Sequence, residues 1–154
     1  MPLNRDRIGA TYTPYVYEVS REKIRDYATA LGETDPRYHS DGPDAVAPPT
    51  FAACFTIVKG AEELLGDPEL GAHHALVHGS QSFRFGARPL RPGDVLECTP
   101  SIGDITTRGS NDFLTVEVDA RFRDSGELAV LSQEVIVFLG DAPSAPGSTA
   151  GDGA

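Results

Sequence analysis

Val46-Ala47-Pro48-Pro49-Thr50-Phe51-Ala52-Ala53-Cys54-Phe55 opens the segment on which the fold turns. Pro48 and Pro49 cannot both lie inside a helix. Pro49 fits the first turn of one, where its missing N–H loses no bond. Beyond it, Thr50, Phe51, Ala52, Ala53, Cys54, Phe55, Ile57 and Val58 leave little polar surface. The pattern predicts a helix over 51–65, buried along much of its length, with Glu62 and Glu63 facing water and Gly66-Asp67-Pro68 ending it. Upstream, residues 15–19 read as a short strand. Ser20 offers an N-cap hydroxyl. Ile24, Tyr27, Ala28 and Leu31 then recur at helical spacing on one apolar face, and Gly32 is a stop signal. Residues 33–47, with Pro36, Gly42, Pro43 and Asp44, read as a loop.

Downstream the chain is strand-rich. Strands are expected at 76–86, 95–102, 113–122 and 128–139, with a turn at 89–94, a hairpin connection at 106–111 and a tight turn at Asp124-Ser125-Gly126-Glu127. Long strands joined by short loops predict antiparallel pairing. A sheet must have one face covered, and only the 51–65 helix is apolar enough to cover it. The expected fold class is therefore α+β: one curled antiparallel β-sheet wrapped around a long central helix. Residues 1–13 read as a polar arm over the body, and 1–140 as a single domain. The stretch 141–154 holds little but Ala, Gly, Ser, Pro and Asp and is expected to be a disordered tail.

Composition limits the functional classes. At 154 residues, one domain is the default. The apolar fraction of 40 % and charged fraction of 23 % are those of an ordinary soluble protein. No apolar run reaches the ~18 residues of a membrane span, and no apolar signal core follows the N-terminus. A cytoplasmic location without membrane contact is expected. A net charge of −10 disfavours nucleic acid, whose phosphates call for a basic surface. Arg84, Arg88 and Arg91 form an arginine cluster near a strand end, suited to an acidic carrier protein or simply to a solvated turn. Cys54 and Cys98 read as small buried hydrophobes. His73, His74 and His78 have no partners at metal-ligand spacing, so neither metal nor cofactor is expected.

Three stretches together carry a resemblance. They are Tyr27-Ala28-Thr29-Ala30-Leu31-Gly32-Glu33-Thr34-Asp35-Pro36, Val46-Ala47-Pro48-Pro49-Thr50-Phe51, and Arg88-Pro89-Leu90-Arg91-Pro92-Gly93-Asp94-Val95-Leu96. With the order of elements, they resemble the MaoC-like hot-dog hydratases and dehydratases over about residues 8–140. Ser20-Arg21-Glu22-Lys23-Ile24-Arg25 further resembles the first helix of the A-type subunit of actinobacterial, mycobacterial-type (3R)-hydroxyacyl-ACP dehydratases. The resemblance implies an acyl thioester, on a carrier protein or CoA, as substrate. It also implies assembly as a homodimer, or as a heterodimer with a catalytic hot-dog subunit.

Active members of that family carry Gly-Asp-x-Asn-Pro-x-His. Here Gly32 and Pro36 match, Glu33 replaces the Asp, Asp35 replaces the Asn, and Tyr38 takes the place of the His; His39 follows one position late. Hydrating an enoyl thioester needs one group to activate water and one to supply the α-proton, both within ~3 Å of that water. The thioester oxygen must also be polarised, here by the helix start at Pro49, Thr50 and Phe51. Glu33 adds a methylene, a phenol is a poor base at neutral pH, and a 1 Å misplacement costs about 100-fold. Three readings stay open. The segment is a degenerate acid/base site in a partner subunit, a working site using Glu33 or Asp35 with His39, or a structural loop in a non-catalytic acyl-binding protein. A thioesterase would want a carboxylate on or just before the central helix, and residues 46–55 contain none. Small Ala52, Ala53 and Gly60 on that helix leave room for an acyl chain or allow close strand packing.

Overall fold

The structure, a computed structural model, describes residues 2–140. The expected tail at 141–154 lies outside the described residues. Five strands and three α-helices follow one another as β1 (Tyr15–Glu18), α1 (Arg21–Leu31), α2 (Pro36–His39), α3 (Ala53–Leu65), β2 (Leu76–Phe85), β3 (Val95–Arg108), β4 (Asn111–Phe122) and β5 (Leu128–Phe138). A 3-10 turn, Pro49–Ala52, leads directly into α3. The sheet runs β1-β3-β4-β5-β2, each neighbour antiparallel.

The α+β class and antiparallel pairing are as expected, but the curled sheet wrapped around the helix is not what forms. The sheet is open, with β1 and β2 as its two edges. α3 lies across one face, against β3 and β4. It buries Phe55, Thr56, Ala61 and Leu64 there, while Val58 on its far side is 80 % exposed. The reason lies in the helix itself. Lys59 and Glu62 pair at 2.8 Å on the outer side, and a wrapping sheet would have to desolvate both charges.

Gly60 settles the question of the small residues on α3. A Cβ at this position would lie 2.5 Å from Val118 Cγ2, so the glycine lets the helix backbone rest directly on β4. Gly60→Val is expected to lower stability by about 1–3 kcal/mol through overpacking. Chemical denaturation would show this as a lower midpoint at an unchanged slope.

The core has two adjoining parts. Phe51 and Phe55 pack with Leu96, Cys98, Val118 and Phe122. Leu64 and Leu70 pack with Ile102, Leu114, Ile136 and Phe138. Two local expectations change. α1 is capped as read, with Ser20 Oγ accepting from Lys23 N–H at 3.0 Å, but Leu31 is 52 % exposed; Ile24 and Ala28 carry the buried face. β3 runs on to Arg108, so the connection to β4 is only Gly109-Ser110. Gly109 sits at φ 62°, as the first residue of a tight hairpin turn requires. A β-bulge between Ile102 and Asp104 shifts the alternation by one residue, which hides the continuing strand from a period-two reading. The N-terminal arm does lie on the body: Leu3 is buried and its N–H donates to Asp112 Oδ2 at 2.8 Å.

Candidate functional site

α1 delivers the chain to the candidate site. Gly32, at φ 72°, closes the helix: its N–H donates to Thr29 O at 3.0 Å, and Glu33 N–H donates to Ala28 O at 2.9 Å. What read as a loop then contains one turn of helix, α2. Asp35 is its N-cap and Pro36 its first residue, the arrangement in which a side-chain oxygen satisfies a free N–H and proline loses nothing. Arg25 pairs with Asp41, and Arg21 donates to Ser40 O, so α1 holds the segment in place.

The three candidate acid/base groups sit on this segment. Glu33 and His39 are exposed. His39 Nε2 lies 2.9 Å from the backbone oxygen of Glu33, not from its carboxylate, so Nε2 carries the proton and the ring is turned back onto its own loop. Asp35 is engaged by Arg37. Oδ1 accepts from the Arg37 N–H at 2.9 Å and from Nε at 3.1 Å, and Oδ2 accepts from Nη2 at 2.7 Å. The guanidinium, reinforced by the backbone N–H, lowers the carboxyl to about 2, which makes Asp35 a weak base.

That shift has a testable consequence. A carboxyl lowered on folding contributes stability above its unfolded value near 3.8 and loses it as the pH falls towards about 2. Asp35→Ala should therefore flatten the acid limb of the stability–pH curve between those values. An unchanged limb would show that the Arg37 pairing contributes nothing in solution.

At the other side of the candidate site, the chain is tied to the sheet by Ala47 N–H donating to Leu90 O at 2.8 Å. Pro49 and Thr50 are exposed; Phe51 is fully buried, and its N–H is occupied by Pro48 O at 2.9 Å. Of the three, Pro49 and Thr50 are the residues open to solvent. Pro48 and Pro49 form one wall of an apolar cleft of about 260 Å³ whose other wall runs from Phe85 to Leu90. Arg88 closes its end, with its guanidinium 3.4 Å from the Phe122 ring centre and 2.8 Å from Asp94. Arg88 is thus a packed structural residue.

Tyr27 is the residue the sequence did not single out. It was read only as part of the apolar face of α1. Its hydroxyl lies 3.0 Å from Thr50 O and 2.9 Å from Thr50 Oγ1, and its ring meets Phe51 edge-on at 5.7 Å. The signal was available, because a tyrosine on a packed face needs a partner for its hydroxyl. Among the hydrogen bonds of the described residues, none links Glu33, Asp35 or His39 to Pro49, Thr50 or Phe51. The two cysteines are free; Cys98 is buried, and burial pushes its thiol up to about 12, while Cys54 is half-buried.

With this geometry, residues 6–131 match the family described as "FAS1-like, dehydratase domain region". The chain belongs to this family. Its relatives include a UPF0336 protein of Thermobifida fusca, 39 % identical over 94 % of this chain and 99 % of that one. Among solved structures, it is similar to the C-terminally truncated HadBC (3R-hydroxyacyl-ACP dehydratase) complex from Mycobacterium tuberculosis. That likeness has 26 % identity and a TM-score of 0.70, covering 86 % of this chain and 97 % of that one. It is also similar to a MaoC-like dehydratase, with 22 % identity and a TM-score of 0.76 over 87 % of this chain and 42 % of that one. The chain thus shares the fold of these dehydratases. Among its described residues, no helix is long and apolar enough to cross a membrane.

Proposed function

We propose that the chain is a subunit of an (R)-specific acyl-thioester dehydratase or hydratase. In this reading it supplies substrate-channel and dimer surface, and a second hot-dog subunit supplies the acid/base pair. Within the family, this makes it an A-type partner. The observation that carries the reading is the orientation of the degenerate segment. His39 is turned onto the Glu33 carbonyl and Asp35 is locked to Arg37, so neither is free to act at the helix start at Thr50, and the Glu33 carboxylate is exposed with no histidine beside it. The likeness to a solved complex of two such subunits supports a division of labour.

The thioester carbonyl would lie at the open end of the Pro49–Ala52 turn, where the Thr50 N–H and the helix dipole favour negative charge, the Phe51 N–H being already bonded to Pro48 O. Tyr27 fixes that turn by holding Thr50. The partner's base would add water to the β-carbon of the enoyl group and return a proton to the α-carbon. The substrate is an acyl thioester on a carrier protein or CoA. The test is hydration of an enoyl thioester, followed through loss of its conjugated absorbance, by the chain alone and with a hot-dog subunit carrying an Asp/His pair. Efficient turnover by the chain alone, abolished by both Glu33→Ala and His39→Ala, would replace this reading with that of a self-sufficient hydratase.

A further inference from the structure

β3 is far longer than its neighbour on one side. It runs for 14 residues, whereas β1 has four and pairs only with Val95 to Cys98. Residues 99–108 therefore have no strand beside them on that edge. A row of unpaired N–H and C=O groups is a template for another chain's strand. At the other end of the sheet, β2 has no strand on its outer side among the described residues.

The arm at 2–13 fills the gap beside β3. Thr11 makes an isolated antiparallel bridge with Ser101. Tyr12 N–H donates to Pro100 O at 2.9 Å, Ile102 N–H to Ala10 O at 2.9 Å, and Gly9 N–H to Ile102 O at 2.8 Å. Further along, the Arg5 Nε–H donates to Ile105 O at 3.1 Å. The Pro100 carbonyl faces the arm, so the N–H that proline lacks is also one of that edge. The arm then leaves β3. It bends at Gly9, at φ 84°, and crosses to the segment that follows α3, where Arg7 pairs with Asp67 at 2.8 Å and Asn4 N–H donates to Leu70 O at 3.0 Å. Leu3, 4 % exposed in the second part of the core, is its one buried anchor. A strap held by one buried side chain and a few surface bonds can lift while the rest of the fold stays intact.

We propose that the arm is an edge guard: seated on β3, it leaves β2 as the one long open edge, so that a second sheet can join there and no third can follow. The physical ground is closure. Two sheets that meet through the same edge form a closed pair, whereas a chain with two different open edges adds copies head to tail without end. A full strand in the arm's place would cover β3 only by exposing an edge of its own. The arm avoids this, because its 3-10 turn at Arg5–Arg7 carries three charged residues and presents no ladder. At four residues, β1 is itself too short an edge to add to. The guard works in the same way whether the sheet joined at β2 belongs to a second copy or to another hot-dog subunit.

The test uses the full chain with two separate substitutions. Leu3→Asp removes the buried anchor. Gly9→Val strains the bend at positive φ but meets nothing within 4 Å, so it loosens the arm without touching the core and serves if Leu3→Asp unfolds. Hydrogen exchange at the Tyr12 and Ile102 amides reports release of the arm, exchange in β4 reports the intact fold, and light scattering at rising protein concentration reports mass. The unmodified chain is expected to level off no higher than a pair. In each variant the two amides should exchange at least about tenfold faster, and the mass should climb past a pair. In the associated material Ile102 should be protected again, because a neighbour's backbone takes the arm's place, and an excess of a peptide of residues 2–13 should bring the mass back down. A released arm with the mass of the unmodified chain would overturn the proposal and leave the arm a mere strap. The same holds for growth with Ile102 still exchanging freely, which is adhesion through uncovered core. It holds equally for arm amides that neither variant moves, and for an unmodified chain whose own mass climbs without limit.

Discussion

Adding a hot-dog subunit that carries an Asp/His pair is expected to raise enoyl-thioester hydration by this chain about 10²–10⁴-fold, the contribution of a positioned acid/base group. The residual rate of the chain alone should be unchanged in Glu33→Ala and in His39→Ala. The physical ground is the local geometry. For His39 to act as a base, its Nδ1 would have to reach the reacting water while Nε2 stays on the Glu33 carbonyl 2.9 Å away. Asp35, held to about 2 by Arg37, is ionised at neutral pH but too weakly basic to draw a proton from water. Glu33 is exposed on the turn that closes α1. The partner must act by contributing the pair, not by rearranging this loop. If it rearranged the loop, His39→Ala would lower the activity of the complex, and that outcome would sink the division of labour.

The legibility of the molecule follows physical scale. The order of elements was readable because each long element announces itself: α3 by an unbroken apolar run, β4 by clean alternation of Leu114, Val116, Val118 and Ala120 with polar neighbours. The turn at Gly126 was readable for the same reason, since strong patterns flank it. The extent of curling was not readable. It depends on whether β1 and β2 meet, which no local pattern encodes, and on the Lys59–Glu62 side of α3 staying in water. The single turn of α2 was hidden because Pro36 and Gly42 are loop signals, although Asp35-Pro36 is also a helix start.

At the candidate site, the sequence located the segment but not its orientation. Whether His39 faces a carbonyl or a ligand is decided by one backbone turn, a matter of angstroms. Tyr27 was visible as an apolar residue and hidden as the group that holds Thr50, because its partner lies 23 positions away.

Phe55→Ala should lower stability by about 3–5 kcal/mol, the largest effect expected of any single truncation here. Phe55 is 1 % exposed on the first turn of α3, where helix and sheet meet. Tyr17 of β1 stacks on it with ring centres 4.5 Å apart, and Phe51 meets it at 6.4 Å. Its carbonyl accepts from the Tyr15 hydroxyl, so β1 is fastened to the helix at the same point. Truncation would open a void among rings too stiff to collapse into it. It would also loosen β1, an edge strand of only four residues that pairs with β3 alone. Urea denaturation should show a midpoint shifted far down, and Phe55→Leu should recover more than half of the loss. A shift below about 1 kcal/mol would mean that β1 and the start of α3 repack freely. In that case the turn at Pro49–Ala52 would not be held rigidly enough to polarise a thioester, and the stability measurement would count against the functional reading as well.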